Sequence, residues 1–169
     1  MIHLNLKNIF AVDSTHGLSK KELSAQKKDM VSLINNMHAR GQQFYSIVDD
    51  HETIKEVESF AKKMKNKYKH VVVIGIGGSA LGAVCLHNAL KHLYDKEQKK
   101  RTSPTLHVLD NVDPIVYAEL EDVIDLKKTL FLIISKSGNT AEALGPFLYF
   151  QNKIKKLKHN IKDHFVAIT

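Results

Sequence analysis

The pattern of apolar positions divides the chain into two parts with different periods. Over residues 19–39, and again over about 50–68, apolar side chains recur every three or four positions. This period predicts two amphipathic helices with no strand between them. Ser19 followed by Glu22 is a capping-box pattern that marks the start of the first helix, and Gly41 marks its end. We therefore expect residues 1–68 to form an N-terminal helical segment.

From residue 70 onward, short apolar runs alternate with helical patterns. The spacing predicts strands at 71–74, 105–109, 130–135 and 165–168, with helices at about 80–94, from 113 onward and at about 139–157. The inward positions of the 80–94 helix are expected to be Leu81, Val84, Leu90 and Leu93. The strands are apolar throughout, as in a parallel sheet covered on both faces. The sequence therefore predicts an α/β fold of three layers, a parallel sheet flanked by helices, over residues 69–169.

The last predicted strand reaches the end of the sequence at Thr169. A parallel strand normally feeds another helix, so we expect the 69–169 domain to be truncated and the chain to be a fragment of a longer protein.

Charge and composition narrow the classes of function. The formal net charge is +7. Its basic residues form three groups: Lys62, Lys63, Lys65, Lys67 and Lys69; then Lys96, Lys99, Lys100 and Arg101; then Lys153, Lys155, Lys156 and Lys158. Tyr68 is the one aromatic residue within these groups, too few for a stacking surface, so we interpret the groups as solvated faces and expect no nucleic-acid partner. No run reaches the roughly 18 apolar residues of a membrane span, and the N-terminus does not resemble a signal peptide, so no membrane partner is expected.

Cysteine and histidine give no sign of a metal site. Cys85 is the single cysteine, so no internal disulfide can form, and a buried, inert thiol is expected on its apolar helix. The pairs His87/His92 and His159/His164 are five residues apart, which does not place them on one helix face. We therefore expect satisfied or solvated histidines and no bound metal.

The first loop with chemical character is the Gly-rich segment 75–82, between a strand and a helix. Glycines let the backbone approach a ligand, and the helix start attracts anions. The segment lacks the Gly-Lys-Ser/Thr ending of a Walker P-loop. It matches a dinucleotide G-x-G-x-x-A pattern through Gly75, Gly77 and Ala80, but no acidic residue ends the next strand at the required spacing. A purely structural role in tight strand–helix packing is an equal alternative.

The second loop runs from Ser135 to Thr140 and follows the third predicted strand. Three hydroxyls and several N–H groups surround a helix start, which suits a phosphate. Simple N-capping by Ser and Thr is the alternative for this loop alone. Because both loops follow strands of one parallel sheet, they lie at the edge where ligands bind in such folds. Together they predict a phosphate site.

These segments resemble the glucose-6-phosphate isomerase family. Gly75-Ile-Gly-Gly-Ser-Ala-Leu-Gly82 is similar to that family's G-I-G-G-S-x-L-G signature, and Ser135-Lys-Ser-Gly-Asn-Thr-Ala-Glu142 to its S-K-[ST]-x-x-T-x-E segment. The second motif is shared more widely by sugar isomerase (SIS) domains. The resemblance implies a SIS-type fold with a five-stranded parallel sheet. It also implies a full-length cytoplasmic homodimer that interconverts glucose 6-phosphate and fructose 6-phosphate in glycolysis and gluconeogenesis, without a cofactor.

The resemblance also implies roles for individual residues. The hydroxyls of Ser135, Ser137 and Thr140 would hold the phosphate of a hexose 6-phosphate, helped by the Lys136 backbone, and Gly78 and Ser79 would touch the sugar. Ala143 and Asn139 depart from the residues common in the family. The family's catalytic Glu, Arg, His and Lys lie beyond the matching segment, and Glu142 corresponds to a loop-orienting glutamate instead. We therefore expect no catalytic residue here and an inert chain.

Two other functions are compatible with the residues. A SIS module without enzymatic activity could sense a sugar phosphate and regulate a partner. A nucleotide-binding oxidoreductase lobe is disfavoured by the missing acidic residue at the strand end.

Overall fold

The computed structural model describes residues 3–13, 15–98 and 103–169, without the side chains of Lys28, Gln43 and Lys96. It divides into two compact units, residues 1–56 and 57–169, with the division inside the second helix. Lys99, Lys100 and Arg101 of the predicted basic groups lie outside the described residues. No described helix is both long and apolar enough to cross a membrane.

Two helices open the chain. Helix α1 runs over Lys20–Ala39 and helix α2 over His51–Lys65. The predicted capping box is confirmed: Ser19 Oγ accepts from the Glu22 N–H at 3.1 Å, and the Ser19 N–H donates to Glu22 Oε2 at 2.8 Å. Gly41 follows α1 with φ +64°, a left-handed conformation that favours glycine. Two helices are therefore present in this part of the chain, and α1 has its predicted start and stop.

A parallel α/β sheet forms the second unit. Its elements are β1 (His70–Ile74), α3 (Gly78–Leu90), β2 (Thr105–Leu109), α4 (Pro114–Val123), β3 (Thr129–Ile134), α5 (Ala141–Lys156) and β4 (Phe165–Ile168). The strand order is β2-β1-β3-β4, and every pairing is parallel. The predicted fold class is confirmed. The described residues supply four strands, whereas the family resemblance implied five.

The connections place the helices on both faces of the sheet. The connection from β1 to β2, through α3, runs toward one side of the sheet. The connections from β2 to β3, through α4, and from β3 to β4, through α5, run toward the other side. Because strand–helix–strand connections are right-handed, α3 covers one face while α4 and α5 cover the other. Residues of β1, β3, α4 and α5 share one buried cluster, in which Phe131 stacks on both Phe150 and Phe165 with ring centroids 4.9 and 5.0 Å apart. This gives the three predicted layers.

Helix α3 corrects two expectations. Leu81 and Leu90 are 61% and 79% exposed, Leu93 lies beyond the end of the helix and is exposed, and only Val84 of the predicted inward set is half-buried. The residue of α3 that is buried is Ala80. Cys85 was expected to be buried but is exposed. Because α3 is apolar on nearly all sides, its periodicity does not distinguish the inward side from the outward side.

The strand order also fixes where the two Gly- and Ser-rich loops meet. The chain leaves β1 toward β2 on one side and leaves β3 toward β4 on the other side, so the direction of the connections reverses between β1 and β3. These two strands are hydrogen-bonded neighbours. The loops that leave these two strands therefore start side by side, at the end of the sheet where the strands finish, which we call the carboxyl edge. In open α/β sheets, the crevice at such a reversal is the usual ligand site.

Candidate functional site

Gly75 shapes the loop between β1 and α3. Its N–H donates to the Leu109 carbonyl of β2 at 3.1 Å. A Cβ at this position would lie 2.9 Å from the Ile134 carbonyl oxygen and 2.8 Å from the Ser79 Cβ. Because Gly75 has no side chain, the loops that leave β1 and β3 can lie in direct contact.

The start of α3 is the second feature of the candidate site. Gly77 is the N-cap residue, has φ +53° and makes no side-chain cap hydrogen bond. Gly78 is exposed and Ser79 is half-buried at the first turn of this helix. The Ser79 N–H already donates to the Ile76 carbonyl at 3.1 Å. The partial positive charge of a helix N-terminus and the Ser79 hydroxyl still favour an anion or a sugar hydroxyl beside Gly78 and Ser79.

The loop between β3 and α5 is organised by the hydroxyl of Ser135. This residue is only 7% exposed. Its Oγ lies 2.8 Å from Thr140 Oγ1 and accepts from the Gly138 N–H at 3.1 Å. Gly138 has φ +70°, which turns the chain so that its N–H can reach Ser135. The two ends of the loop are therefore held together by one pair of hydroxyls.

The remaining loop residues face outward. Ser137 is exposed, and its Oγ accepts from the Asn139 N–H at 3.2 Å. Lys136 is exposed and has no carboxylate partner among the described residues. The exposed Ser137 hydroxyl and an ammonium group without a carboxylate partner on one short loop suit an anionic ligand.

Thr140 is the N-cap residue of α5, yet its hydroxyl does not cap that helix. Its backbone has the usual N-cap conformation, with φ −68° and ψ 114°, but the side chain makes no cap hydrogen bond. The hydroxyl contacts Ser135 instead. The alternative of simple N-capping, which the sequence left open, is therefore not what Thr140 does. Helix α5 keeps an N-terminus without side-chain capping, directed at the loop.

The structure brings all six sequence-predicted residues to the same edge. Gly78 and Ser79 follow β1, while Ser135, Lys136, Ser137 and Thr140 follow β3, the adjacent strand. Sequence reasoning did not single out Gly138, although its place in the Ser-Lys-Ser-Gly run was the available signal for a left-handed turn.

Two pairs of histidine rings lie within hydrogen-bonding distance of each other. His159 Nδ1 lies 3.2 Å from His164 Nε2, and His164 Nδ1 lies 2.8 Å from the Thr129 carbonyl oxygen. Because a carbonyl only accepts, His164 donates from Nδ1 to the Thr129 carbonyl. A second pair joins His70 Nδ1 to His107 Nε2 at 3.2 Å. In the described ranges, no group of three or more His, Cys, Asp or Glu side chains is arranged to hold a metal ion.

Comparison with known proteins identifies the family. The family model described as phosphoglucose isomerase matches residues 11–169, almost the whole chain. The chain belongs to the phosphoglucose isomerase family. A curated relative named glucose-6-phosphate isomerase, from Carboxydothermus hydrogenoformans, is 44% identical over 121 residues, which cover 70% of this chain and 26% of the relative.

Solved structures agree with this family assignment. A crystal structure of a glucose-6-phosphate isomerase from Chlamydia trachomatis superimposes with a TM-score of 0.56 and 31% identity, covering 64% of this chain and 20% of that one. A crystal structure of a hypothetical protein from Thermus thermophilus superimposes with a TM-score of 0.68 and 31% identity, covering 87% of this chain and 35% of that one. The chain spans only about a quarter of the length of the glucose-6-phosphate isomerase from Carboxydothermus hydrogenoformans.

Proposed function

We propose that this chain is the N-terminal part of an aldose–ketose isomerase that interconverts glucose 6-phosphate and fructose 6-phosphate, and that it holds the substrate's phosphate in the 135–140 loop. The observation that carries the proposal is the diversion of the Thr140 hydroxyl to Ser135, which leaves α5 without a side-chain cap at the carboxyl edge. A phosphate monoester carries nearly two negative charges at neutral pH and is stabilised by such a helix start.

The hydroxyl pair keeps one proton available for a phosphate oxygen. Each hydroxyl has one proton, and a single proton lies between Ser135 Oγ and Thr140 Oγ1. Whichever group donates within the pair, the other still has a proton to donate outward. The Gly138 N–H already donates to Ser135 and fixes its position. The pair is thus preorganised as a donor, and Ser137 and the Lys136 backbone complete the phosphate cradle.

The sugar is proposed to lie over the first loop. Gly78 and Ser79 begin helix α3, which follows β1, and β1 is the neighbour of the strand that leads into the phosphate loop. A hexose extending from the phosphate would therefore reach the N-terminus of α3, where the Ser79 hydroxyl can bind a sugar hydroxyl.

The chain by itself is proposed to bind without catalysing. Neither loop holds a carboxylate or histidine that could move a proton between adjacent sugar carbons. Residues 69–169 are proposed to form a SIS domain after the 1–68 helical segment, and the proton transfer is assigned to polypeptide that the relatives have in addition. The full-length protein is proposed to act as a cytoplasmic homodimer in glycolysis and gluconeogenesis.

The test is an NMR titration of the 169-residue chain with glucose 6-phosphate, with inorganic phosphate in a parallel series. We expect the amide shifts to concentrate at residues 135–140 and then at 77–79, and Ser137→Ala to weaken the binding. The matched control is Ser59→Ala, which removes an exposed hydroxyl from α2. Shifts confined to the lysine-rich turns, or equal effects of the two variants, would contradict the phosphate assignment. An isomerase assay of the chain alone should show no turnover.

A further inference from the structure

The lysines concentrate at the end of the sheet opposite the phosphate loops. Lys67 and Lys69 precede β1, Lys127 and Lys128 precede β3, and Lys162 precedes β4. Since β1, β3 and β4 are parallel neighbours, the three turns lie together at the end where the strands begin. We call these five residues the lysine edge. By contrast, the two loops of the candidate site at the carboxyl edge hold a single lysine.

Backbone contacts bring these lysines side by side. The Lys69 N–H donates to the Lys128 carbonyl at 2.8 Å, so the two residues are lateral neighbours on adjacent strands, which run about 5 Å apart. Like charges placed opposite each other on neighbouring strands destabilise a sheet. Lys67 Nζ lies 3.4 Å from Asp163 Oδ1, which links the turn before β1 to the turn before β4.

Most of this positive charge has no carboxylate partner. Apart from Lys67, the lysine edge forms no ion pair within the described ranges, and all five of its residues are exposed. An anion with several charges would remove the repulsion between Lys69 and Lys128. A single substrate phosphate would not reach this edge from the 135–140 loop, because the two lie at opposite ends of the strands.

We propose that the lysine edge binds the phosphate backbone of a nucleic-acid duplex. Lysines contact phosphates as point charges, and neutralising phosphates releases counterions, which supplies sequence-independent affinity. The aromatic rings of these turns, Tyr68 and His164, are buried at 6% and 3% exposure and offer no stacking surface for single-stranded bases. The apolar residues of the turns, Leu126 and Ile161, are not fully exposed, so the edge lacks the apolar centre that a protein partner needs.

This proposal changes one expectation from the sequence. The scarcity of aromatic residues in the basic groups argued against nucleic acid, but that argument applies to single strands, whose bases need a stacking surface. Lys127, Lys128 and Lys162 were also absent from the basic groups seen along the chain, because they join Lys69 only through strand order. The proposal does not rest on the proposed phosphate site.

The experiment measures binding of the 169-residue chain to a mixed-sequence DNA duplex of about 20 base pairs by fluorescence anisotropy, over salt concentrations from about 50 to 200 mM. The double variant Lys69→Gln/Lys128→Gln is expected to lower the log–log salt slope by about two, because each lost phosphate contact removes about one. Glucose 6-phosphate should not compete, since its proposed site is at the other edge.

The matched control is Lys62→Gln/Lys63→Gln on α2, which changes the net charge equally. On this helix, Lys62 Nζ lies 3.9 Å from Glu58 Oε2. The control should keep the wild-type slope within about half a unit. Equal slope losses in both double variants would overturn the proposal, because they would show a response to net charge alone. No duplex binding at about 50 mM salt, or tighter binding to anionic phospholipid vesicles than to the duplex, would overturn it as well.

Discussion

Ser135 Oγ and Thr140 Oγ1 lie 2.8 Å apart, so a hydroxyl expected to cap a helix closes a loop instead. The loop between them is the one that resembles the phosphate-binding segment of the phosphoglucose isomerase family. The contact makes the two ends of that loop dependent on each other.

Replacing Thr140 with valine should weaken hexose-phosphate binding. Valine keeps the shape of threonine but removes the hydroxyl, which leaves Ser135 without that partner and the phosphate without one donor. We expect roughly tenfold weaker binding of glucose 6-phosphate, equivalent to about 1.4 kcal/mol, and a loss of unfolding free energy of about 1 kcal/mol. Calorimetric or NMR titration and urea denaturation measure the two effects. Thr140→Ser retains the hydroxyl and should stay near wild type; equal weakening by serine would rule out the hydroxyl explanation.

Gly75→Ala should destabilise the second unit. The added Cβ would lie 2.9 Å from the Ile134 carbonyl oxygen, and moving it away would separate β1 from β3. We expect a loss of about 1–3 kcal/mol in urea denaturation. Gly82→Ala is the control, because a Cβ there meets nothing within 4 Å on α3; it should gain about 0.5–1 kcal/mol from the better helix propensity of alanine. An unaffected Gly75→Ala would show that the close approach of the strands is unimportant.

Removing the ring nitrogens of His164 should lower the free energy of unfolding, because the polar groups that they contact lose a hydrogen-bond partner. His164 is 3% exposed and bridges the Thr129 carbonyl and His159. His164→Phe keeps a ring of similar breadth but leaves the Thr129 carbonyl and the His159 Nδ1 without these partners, which should lower the unfolding free energy by about 1–3 kcal/mol. The exposed His51→Gln serves as the control in the same urea titration. A His164→Phe curve that coincides with the control curve would contradict the bridging role.

Tyr117→Phe is expected to stabilise the protein. Tyr117 is 7% exposed, and its buried hydroxyl has no hydrogen-bond partner among the described residues. Burial, together with the nearby Asp113 carboxylate, raises the pKa of this phenol, so it stays neutral over the ordinary pH range. Deleting the hydroxyl should raise the thermal midpoint, with a gain of about 1 kcal/mol. Tyr68→Phe should have the opposite effect, because the Tyr68 hydroxyl donates to the Asp163 carbonyl; a destabilised Tyr117→Phe would reveal a partner for that hydroxyl.

Stability should fall at alkaline pH through a cluster between α4 and α5. Tyr149 Oη donates to Glu121 Oε1, and Lys153 Nζ lies 2.9 Å from Glu121 Oε2. These hydrogen bonds raise the pKa of Tyr149 above its ordinary 10.0 and that of Lys153 above 10.5. Because folding raises both values, their contribution is complete below about pH 10 and is lost as the pH rises through the folded-state pKa values.

Urea denaturation between pH 8 and pH 11 measures this loss. Tyr149→Phe removes one of the two titrating partners, so its unfolding free energy should decline less steeply above about pH 10 than that of the wild type. Identical slopes for wild type and Tyr149→Phe would exclude Tyr149 as a contributor.

The sequence by itself determined the alternation of strands and helices, the capping box at Ser19, the helix start at Asp113 and the two loops that carry chemistry. These features are local: they depend on spacing, on side chains that bond to nearby backbone, and on the conformations available to glycine and proline.

Only the tertiary structure decided which face of α3 is buried, where the Thr140 hydroxyl goes and which lysines meet. Helix α3 is apolar on nearly every side, so its orientation is set by the sheet beneath it. The Ser135–Thr140 contact requires a left-handed turn at Gly138, and the neighbours Lys69 and Lys128 are 59 positions apart in sequence and meet only because β1 pairs with β3. Contacts between distant positions depend on strand order, which periodicity along a single chain does not encode.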